Sequence, residues 1–285
     1  MVGNIHINDK RFEDKLIIKK YTPNLGLREL GNGILIDVLT PITKQEEQII
    51  IDCSVAQIPI YHINQLQERL EQKVSSIHLS DRTIQALNPE SNYFRIKSTL
   101  DILLAFMGIV ILLPIMATIY LMIKIQQDGS AIYKQKRIGQ HNQTFTIYKF
   151  RTMVPVVSEG SAKFASTEQH RISRFGRFLR KTRLDEIPQL FNVLKGEMSI
   201  IGPRPEQPCF ANQFAEDIPF YNFRHIVKPG ITGWAQVTQG YTHSFESTIE
   251  KLAYDFYYLK HLSWQLDFEI YLKTIRVIVT GKGAI

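Results

Sequence analysis

The chain has 285 residues, enough for one substantial core and one smaller appendage. Its 34 Lys and Arg against 27 Asp and Glu leave a formal charge of +7, which favours anionic partners such as phosphates, nucleic acid or an acidic membrane leaflet. Cys53 and Cys209 are too few and too far apart for a disulfide framework or a thiolate zinc site, and the 8 histidines show no ligand spacing, so a reducing compartment is expected.

The N-terminal MVGNIHINDKRFEDK has no apolar run behind its charges, unlike a cleaved signal peptide, so catalysis on the cytoplasmic side is the default. GILIDVLTP reads as a buried strand ending at Pro41, and Thr43 with Glu46 forms a capping box that opens a helix through Ile51. QIPIYHI reads as a second short strand and INQLQERLEQKV as an amphipathic helix. This β-α-β-α order belongs to part of a doubly wound sheet. Gly31-Asn32-Gly33 lacks the third glycine of a dinucleotide fingerprint, so docking or regulation is expected of residues 1–92 rather than nucleotide binding.

Residues 102–123 read ILLAFMGIVILLPIMATIYLMI, a stretch without one charge and long enough to span a bilayer. Arg95 and Lys97 precede it, and Lys124, Lys134, Lys136 and Arg137 follow it, so both flanks prefer the cytoplasm. Pro114 near its middle removes a backbone donor. Three readings fit: a kinked single span, a buried core helix, or a re-entrant hairpin broken at Leu113-Pro114, and the hairpin accommodates both flanks and proline.

AIYKQKRIGQ and FTIYKFRTM flank the polar turn His141-Asn142-Gln143 and predict a β-hairpin carrying Lys149 and Arg151. Residues 154–169 read as a mobile loop. Arg171, Arg174, Arg177, Arg180, Lys181 and Arg183 then place 6 cations in 13 residues, with Phe175, Phe178 and Leu179 as an apolar side. An exposed basic helix face is the ordinary explanation of such a run. Here it leads into Asp185-Glu186. Ile187, Leu190, Phe191 and Leu194 predict one buried helix face, Gly196 its end, and Pro188 a place in its first turn. Asp185 then sits at a helix N-terminus, either as a cap or as a carboxylate that holds Mg²⁺ against a diphosphate or attacks phosphorus.

Pro203 and Pro205 stiffen the backbone on either side of Arg204. RHIVKPGITGWAQV brings Arg224 and Lys228 into a loop able to close on a polar ligand. The tail, with Tyr257, Tyr258, Trp264, Leu266, Ile270 and Val277, predicts a helix either at a membrane interface or packed on the core.

Through KSTLD, the proline-interrupted apolar segment, YKQKRIG, FTIYKFRTM, FLRKTRLDEIPQLFNVLKGEMSIIGPRPE and KPGITGWAQV, residues 95–285 resemble the bacterial sugar transferase family, the monotopic polyprenyl-phosphate phosphoglycosyl transferases. Residues 34–92 resemble the end of the Rossmann-like domain upstream in its larger members, whose additional N-terminal transmembrane helices this sequence does not contain. The resemblance implies an α+β monotopic membrane protein. Its parts are a partial Rossmann-like α/β region over 1–92 and a catalytic domain over 93–285, with a re-entrant helix, a small β-hairpin and amphipathic interfacial helices.

It also implies transfer of a sugar-1-phosphate from a UDP-sugar to undecaprenyl or another polyprenyl phosphate, in ping-pong fashion, with release of UMP, on the cytoplasmic face of the inner membrane. Asp185 is then nucleophile and Mg²⁺ ligand, with Glu186 as its acidic partner. Lys149, Arg151, Arg180 and Arg224 lie near phosphate, and Pro203-Arg204-Pro205 contacts uridine. Leu113-Pro114 is the helix break, with leucine where the family has serine, and Lys97-Ser98 replaces the usual Lys-Arg pair before Asp101. Hexose donors are implied, glucose or galactose over N-acetylated sugars, and the expected partners are membrane lipid, polysaccharide assembly proteins or a second copy, without nucleic acid. Two alternatives remain from the residues alone: a glycosyltransferase that moves sugar only and releases UDP, and a non-catalytic membrane scaffold.

Overall fold

The computed structural model describes residues 32–36, 42–74, 92–126, 129–154, 171–239 and 245–280. The strand residues 37–41 and almost all of the expected 154–169 loop lie outside them. The chain divides into two compact units, Met1–Lys73 and Val74–Ile285.

In the first unit, β1 (Ile34–Ile36) pairs in parallel with β2 (Ile60–His62), with Ile34 opposite Ile60. The intervening α1 (Lys44–Val55) runs one turn further than expected. Its capping box is complete: the Thr43 hydroxyl accepts from the Glu46 amide, and the Glu46 carboxylate accepts from the Thr43 amide at 2.9 Å. Ile34, Ile36, Ile49 and Cys53 form a small core under this crossover. α2 (Ile63–Glu71) follows, which completes β-α-β-α order.

The second unit begins with α3, a single helix over Asn92–Gln126, about 52 Å long at 1.5 Å per residue. Its backbone stays helical through Leu113-Pro114, so the expected interruption is absent from the secondary structure. The proline costs the carbonyl four residues earlier its donor, yet both halves of the helix are held by packing on the same unit. Ala105 packs with Ile147, Val193 and Met198, while Met116, Ile119 and Ile123 pack with Ala131, Phe150 and Leu179. The buried residues Asp101, Ala105, Ile109, Met116, Ile119 and Ile123 form one stripe. Away from it, Phe106, Met107, Val110, Ile111 and Leu121 are exposed. A face this long and apolar fits a monotopic membrane protein better than contact with water.

β3 (Ile132–Ile138) and β4 (Thr144–Phe150) form the expected antiparallel hairpin, with Ile132 opposite Phe150. His141 and Asn142 take left-handed backbone in its turn. α4 (Arg174–Lys181) is capped by Ser173, whose hydroxyl accepts from the Gly176 amide at 2.9 Å. Leu179 is fully buried, but Phe178 faces outward, so only part of the expected apolar side packs.

The 3-10 turn Leu184–Gln189 leads into the short α5 (Leu190–Leu194), and Gly196 ends it at positive φ. The expected buried face is displaced. Val193 and Asn192 are fully buried while Phe191 is exposed, because the 3-10 geometry turns the chain at a different pitch before α5 packs against α3.

β5 (Ser199–Ile201) pairs in parallel with β6 (Gly230–Thr232), so the Gly-rich segment expected as a loop is partly a strand. A side chain at Gly230 would meet the Gly202 amide at 2.1 Å, and one at Gly233 the Gly202 carbonyl at 2.2 Å. These glycines serve close backbone approach. Between the strands lie α6 (Pro208–Asp217) and the 3-10 turn Tyr221–His225.

After β6 come α7 (Trp234–Thr238), α8 (Phe245–Lys260) and α9 (Trp264–Thr280). The tail is thus two helices with divided roles. Tyr258, Leu266 and Ile270 are core with Trp234, whereas Phe268, Tyr271, Leu272 and Ile275 face out. Tyr258, expected at the headgroups, instead donates to the Ile201 carbonyl and to Asp267.

Candidate active site

Glu186 is buried, and one of its oxygens accepts two charge-assisted hydrogen bonds: from Lys149 Nζ at 2.6 Å and from Arg204 Nη2 at 2.8 Å. Lys149 comes from β4 and Arg204 from the GPRPE segment, so one carboxylate joins three stretches of chain. Burial alone raises a carboxyl pKa, but Arg204 and Lys149 hold Glu186 well below the usual carboxylate range. Burial also lowers the Lys149 ammonium pKa, against the pull of Glu186.

Asp185 differs from its neighbour. It is buried, and its Oδ1 has no hydrogen-bond partner among the described residues. Burial and then the Glu186 charge push its pKa up to about 6, against the pull of Lys149, Arg180 and Arg183. A carboxylate that caps a helix spends its oxygens on backbone amides. Asp185 instead lies inside the first turn after Arg183, whose left-handed backbone starts the 3-10 turn, and Oδ1 keeps its lone pairs available. At neutral pH this is a desolvated, mostly ionised carboxylate with one oxygen uncommitted.

The GPRPE strap is fixed at three points. Pro203 O accepts from the Gly230 amide at 2.9 Å, Arg204 O from Arg224 Nη2 at 2.9 Å, and Pro205 O from Arg137 Nη1 at 3.1 Å. Arg224 is itself buried, paired with Asp255 at 2.7 Å, and donates to the Tyr221 hydroxyl at 2.8 Å. It therefore reaches the acid pair through the backbone of Arg204. Next along the chain, Glu206 pairs with Lys251 and stands 3.8 Å from Arg137. Burial would raise its pKa, but Lys251 and Arg224 lower it to about 2.

Arg180 Nε donates to the Thr152 hydroxyl at 2.9 Å, which sets it beside the acid pair from the far side. The Arg151 guanidinium lies against Gly129, at the mouth of the hairpin. Thus Asp185, Glu186, Lys149, Arg180 and Arg204 come together directly, Pro203 and Pro205 flank them, and Arg224 supports them. Leu113 and Pro114 lie on α3, and Leu113 lines an apolar pocket with Phe191 and Tyr148.

Several contributors escaped the sequence reading. Asn192 ties α5 to the hairpin: it accepts from the Tyr148 amide at 3.1 Å and donates to the Thr146 carbonyl at 2.7 Å. Asp255 sits far from the motif it supports and no local pattern marks it, while the sequence shows Arg137 only as one of the hairpin's cations and not as a clamp on the proline strap. Arg183 was visible only as part of a basic run. In α3, Lys97 pairs with Asp267 at 2.8 Å and Ser98 accepts from Lys228 at 3.0 Å, so the altered pair before Asp101 anchors the helix to its own unit.

The donor set fits a divalent cation. Mg²⁺ is commonly held by one or two carboxylates together with substrate phosphates, and Asp185 presents a buried oxygen without a partner. Among the described residues there is no cluster of three or more His, Cys, Asp or Glu that would form an all-protein cage.

A recessed acid pair ringed by ammonium and guanidinium groups lies in a unit that also carries a helix with an exposed apolar face, a combination suited to anions near an apolar surface. The family described as bacterial sugar transferase matches residues 92–281, and the chain belongs to it. The chain is 46% identical over 238 residues to a UDP-N-acetylgalactosamine-undecaprenyl-phosphate N-acetylgalactosaminephosphotransferase of Aeromonas hydrophila, covering 84% of this chain and 56% of that protein. It is 35% identical over 237 residues to a UDP-glucose:undecaprenyl-phosphate glucose-1-phosphate transferase of Escherichia coli (strain K12), covering 81% and 50%. With a putative undecaprenyl-phosphate N-acetylgalactosaminyl 1-phosphate transferase of Bacillus subtilis (strain 168) it shares 40% identity over 162 residues, covering 57% and 87%. The chain thus spans about half the length of the first two.

Replacing Glu186 with Gln removes the charge that helps raise the Asp185 pKa and releases two cations toward it. The Asp185 pKa, about 6 in the native site, is expected to fall, as a ¹³C carboxylate titration would show; an unchanged or higher value would remove Glu186 from the electrostatics of Asp185.

Proposed function

We propose that the chain transfers a sugar-1-phosphate from a UDP-sugar to undecaprenyl phosphate or another polyprenyl phosphate, in two displacements through Asp185. The observation that carries this reading is the contrast within the acid pair: Glu186 is fully engaged by two cations, while Asp185 keeps a buried oxygen without a partner. In the first displacement an Asp185 oxygen bonds to the β-phosphorus. The bond from that phosphorus to the oxygen bridging the α-phosphate breaks, and UMP leaves with the electron pair. In the second, an oxygen of the lipid phosphate attacks the same phosphorus and the Asp185 carboxylate departs, which regenerates the enzyme.

Lys149, Arg180, Arg183 and Arg204 surround the reacting phosphorus with positive charge already in place, so little reorganisation is needed as charge builds on its oxygens. When bound, Mg²⁺ would neutralise diphosphate charge, and Asp185 is the residue that would hold it. The Pro203-Arg204-Pro205 strap, stiff and beside the acid pair through the Arg204–Glu186 contact, is the element assigned to the nucleotide. The relatives support the substrates by their names, which pair UDP-sugars with undecaprenyl phosphate.

The donor expectation changes. The 238-residue match to the N-acetylgalactosamine enzyme is longer than the stretch from residue 92 to the C-terminus, so it includes part of the upstream unit. That unit consequently gives no ground for preferring glucose or galactose, and UDP-N-acetylgalactosamine joins the donors to be tested first.

Incubation of the purified protein with a panel of UDP-sugars and Mg²⁺ should give UMP and a phosphosugar adduct by intact mass. Asp185→Asn should abolish both, while UDP as the nucleotide product would favour transfer of the sugar alone. A wild-type protein that yields neither nucleotide nor adduct would leave the scaffold reading.

Because protons remove the nucleophile and compete with Mg²⁺ for the same carboxylate, kcat/KM for the donor at limiting Mg²⁺ should fall as pH drops through about 6, the metal-free Asp185 value. A profile flat from pH 5 to pH 8 would assign the nucleophile elsewhere.

We further propose that α3 enters and leaves the cytoplasmic leaflet of the inner membrane on one side. The support is that residues near its two ends pack on the same unit: Asp101 accepts from the Ser199 hydroxyl at 2.6 Å, and Ile123 lies in a cluster with Leu179. Single cysteines at Arg95 and Ile125, in a Cys53→Ala, Cys209→Ser background, should both react with an impermeant thiol reagent from the cytoplasmic side of vesicles. Reaction from opposite sides would establish a crossing.

A further inference from the structure

A pocket of ≈ 200 Å³ opens beside the acid pair, lined at one end by Arg183 and Glu186. Its remaining walls come from Ile187 and Leu190 before and in α5, from Ile231 on β6, Val237 on α7, and Val277 and Ile278 on α9. The polar groups among these walls are largely spent. Thr232 and Thr274 hydroxyls bond each other at 2.8 Å, Thr274 also donates to the Ile270 carbonyl at 2.7 Å, and Gln236 Nε2 donates to the Ile231 carbonyl at 3.2 Å. What faces the cavity is chiefly aliphatic. Ile278 is also exposed on α9, whose outward residues are apolar, and Leu190 stands against Gly108 of α3. The pocket therefore runs from the charged centre toward the two helices with lipid-compatible faces.

We infer that this pocket holds the first isoprene units of the lipid phosphate acceptor, with the phosphate toward Arg183 and the chain against Ile231, Val237 and Val277. The inference rests on the proposed transfer reaction and assigns its acceptor subsite. Charge at one end and aliphatic walls at the other match an amphipathic phosphate. A sugar is the poorer occupant, since its hydroxyls need several polar partners when desolvated, and the pocket offers chiefly Gln236 Oε1, buried without a partner among the described residues.

Val277→Trp fills the cavity from the last turns of α9, and Val279→Trp, on the same helix but 79% exposed and outside the pocket, is its control. With the UDP-sugar that the wild type turns over, Val277→Trp should raise KM for undecaprenyl phosphate about tenfold, the loss of roughly two buried methylene groups. KM for the donor should not move, and a ten-carbon isoprenyl phosphate, which consists of only the first isoprene units, should be affected to a similar degree. Equal behaviour of the two tryptophan variants, or a rise in donor KM instead, overturns the assignment.

A second measurement covers the case in which Val277→Trp does not fold. In a Cys209→Ser background, Val277→Cys should be protected from alkylation by undecaprenyl phosphate and not by the UDP-sugar; protection by the UDP-sugar alone assigns the pocket to the donor. Absence of any lipid-linked product from the wild type would defeat the reaction itself, whereas normal wild-type turnover with an indifferent pocket defeats only this subsite.

Discussion

The buried Glu186 carboxylate, shared by Lys149 and Arg204, is the contact around which the second unit is organised. It draws the hairpin and the proline strap onto the turn that carries both acids. A buried ion pair of this kind adds little net stability, because desolvation offsets much of its attraction, but removal of one partner strands the others. Its effect is better seen next door. With two cations committed to Glu186, Asp185 remains desolvated, beside a negative charge, and with an oxygen unassigned. One acid organises the cluster and the other keeps an oxygen uncommitted.

Support for that arrangement extends outward in layers that resist rotation. Arg204 is held at its side chain by Glu186 and at its carbonyl by Arg224, which is locked by Asp255 and Tyr221 on separate elements. The close approach of Gly202, Gly230 and Gly233 lets two short strands meet with no side chain between them, directly beneath the strap. Asn192 binds the hairpin edge from the other side, where an apolar residue would leave backbone groups unpaired. The guanidinium groups therefore arrive in position before any substrate does, and this is how fixed charge stabilises a transient one.

The same unit also sets the charged acid pair beside helices whose outward faces are apolar. α3 lies with one stripe on the protein and its other faces apolar and exposed, and α9 repeats the division with Leu266 and Ile270 inward and Phe268 and Leu272 outward. Lys97 and Asp267 pin the two helices together at their starts.

Much of this was legible in local pattern, because local pattern follows backbone chemistry. The Thr43–Glu46 capping box, the alternation and polar turn of the hairpin, Gly196 closing α5 and the apolar length of α3 are each set by a few neighbouring residues. The long motifs also identified the family. Tertiary structure alone decided which face of α3 is buried, since a helix apolar on every side has no periodicity to read. It decided that Tyr258 is core rather than interfacial, that Arg224 acts through the Arg204 backbone, and that Asp185 is not a cap. These outcomes depend on partners such as Asp255 and Asp267, brought close by packing of distant segments, and on which carboxylate the shared cations reach first.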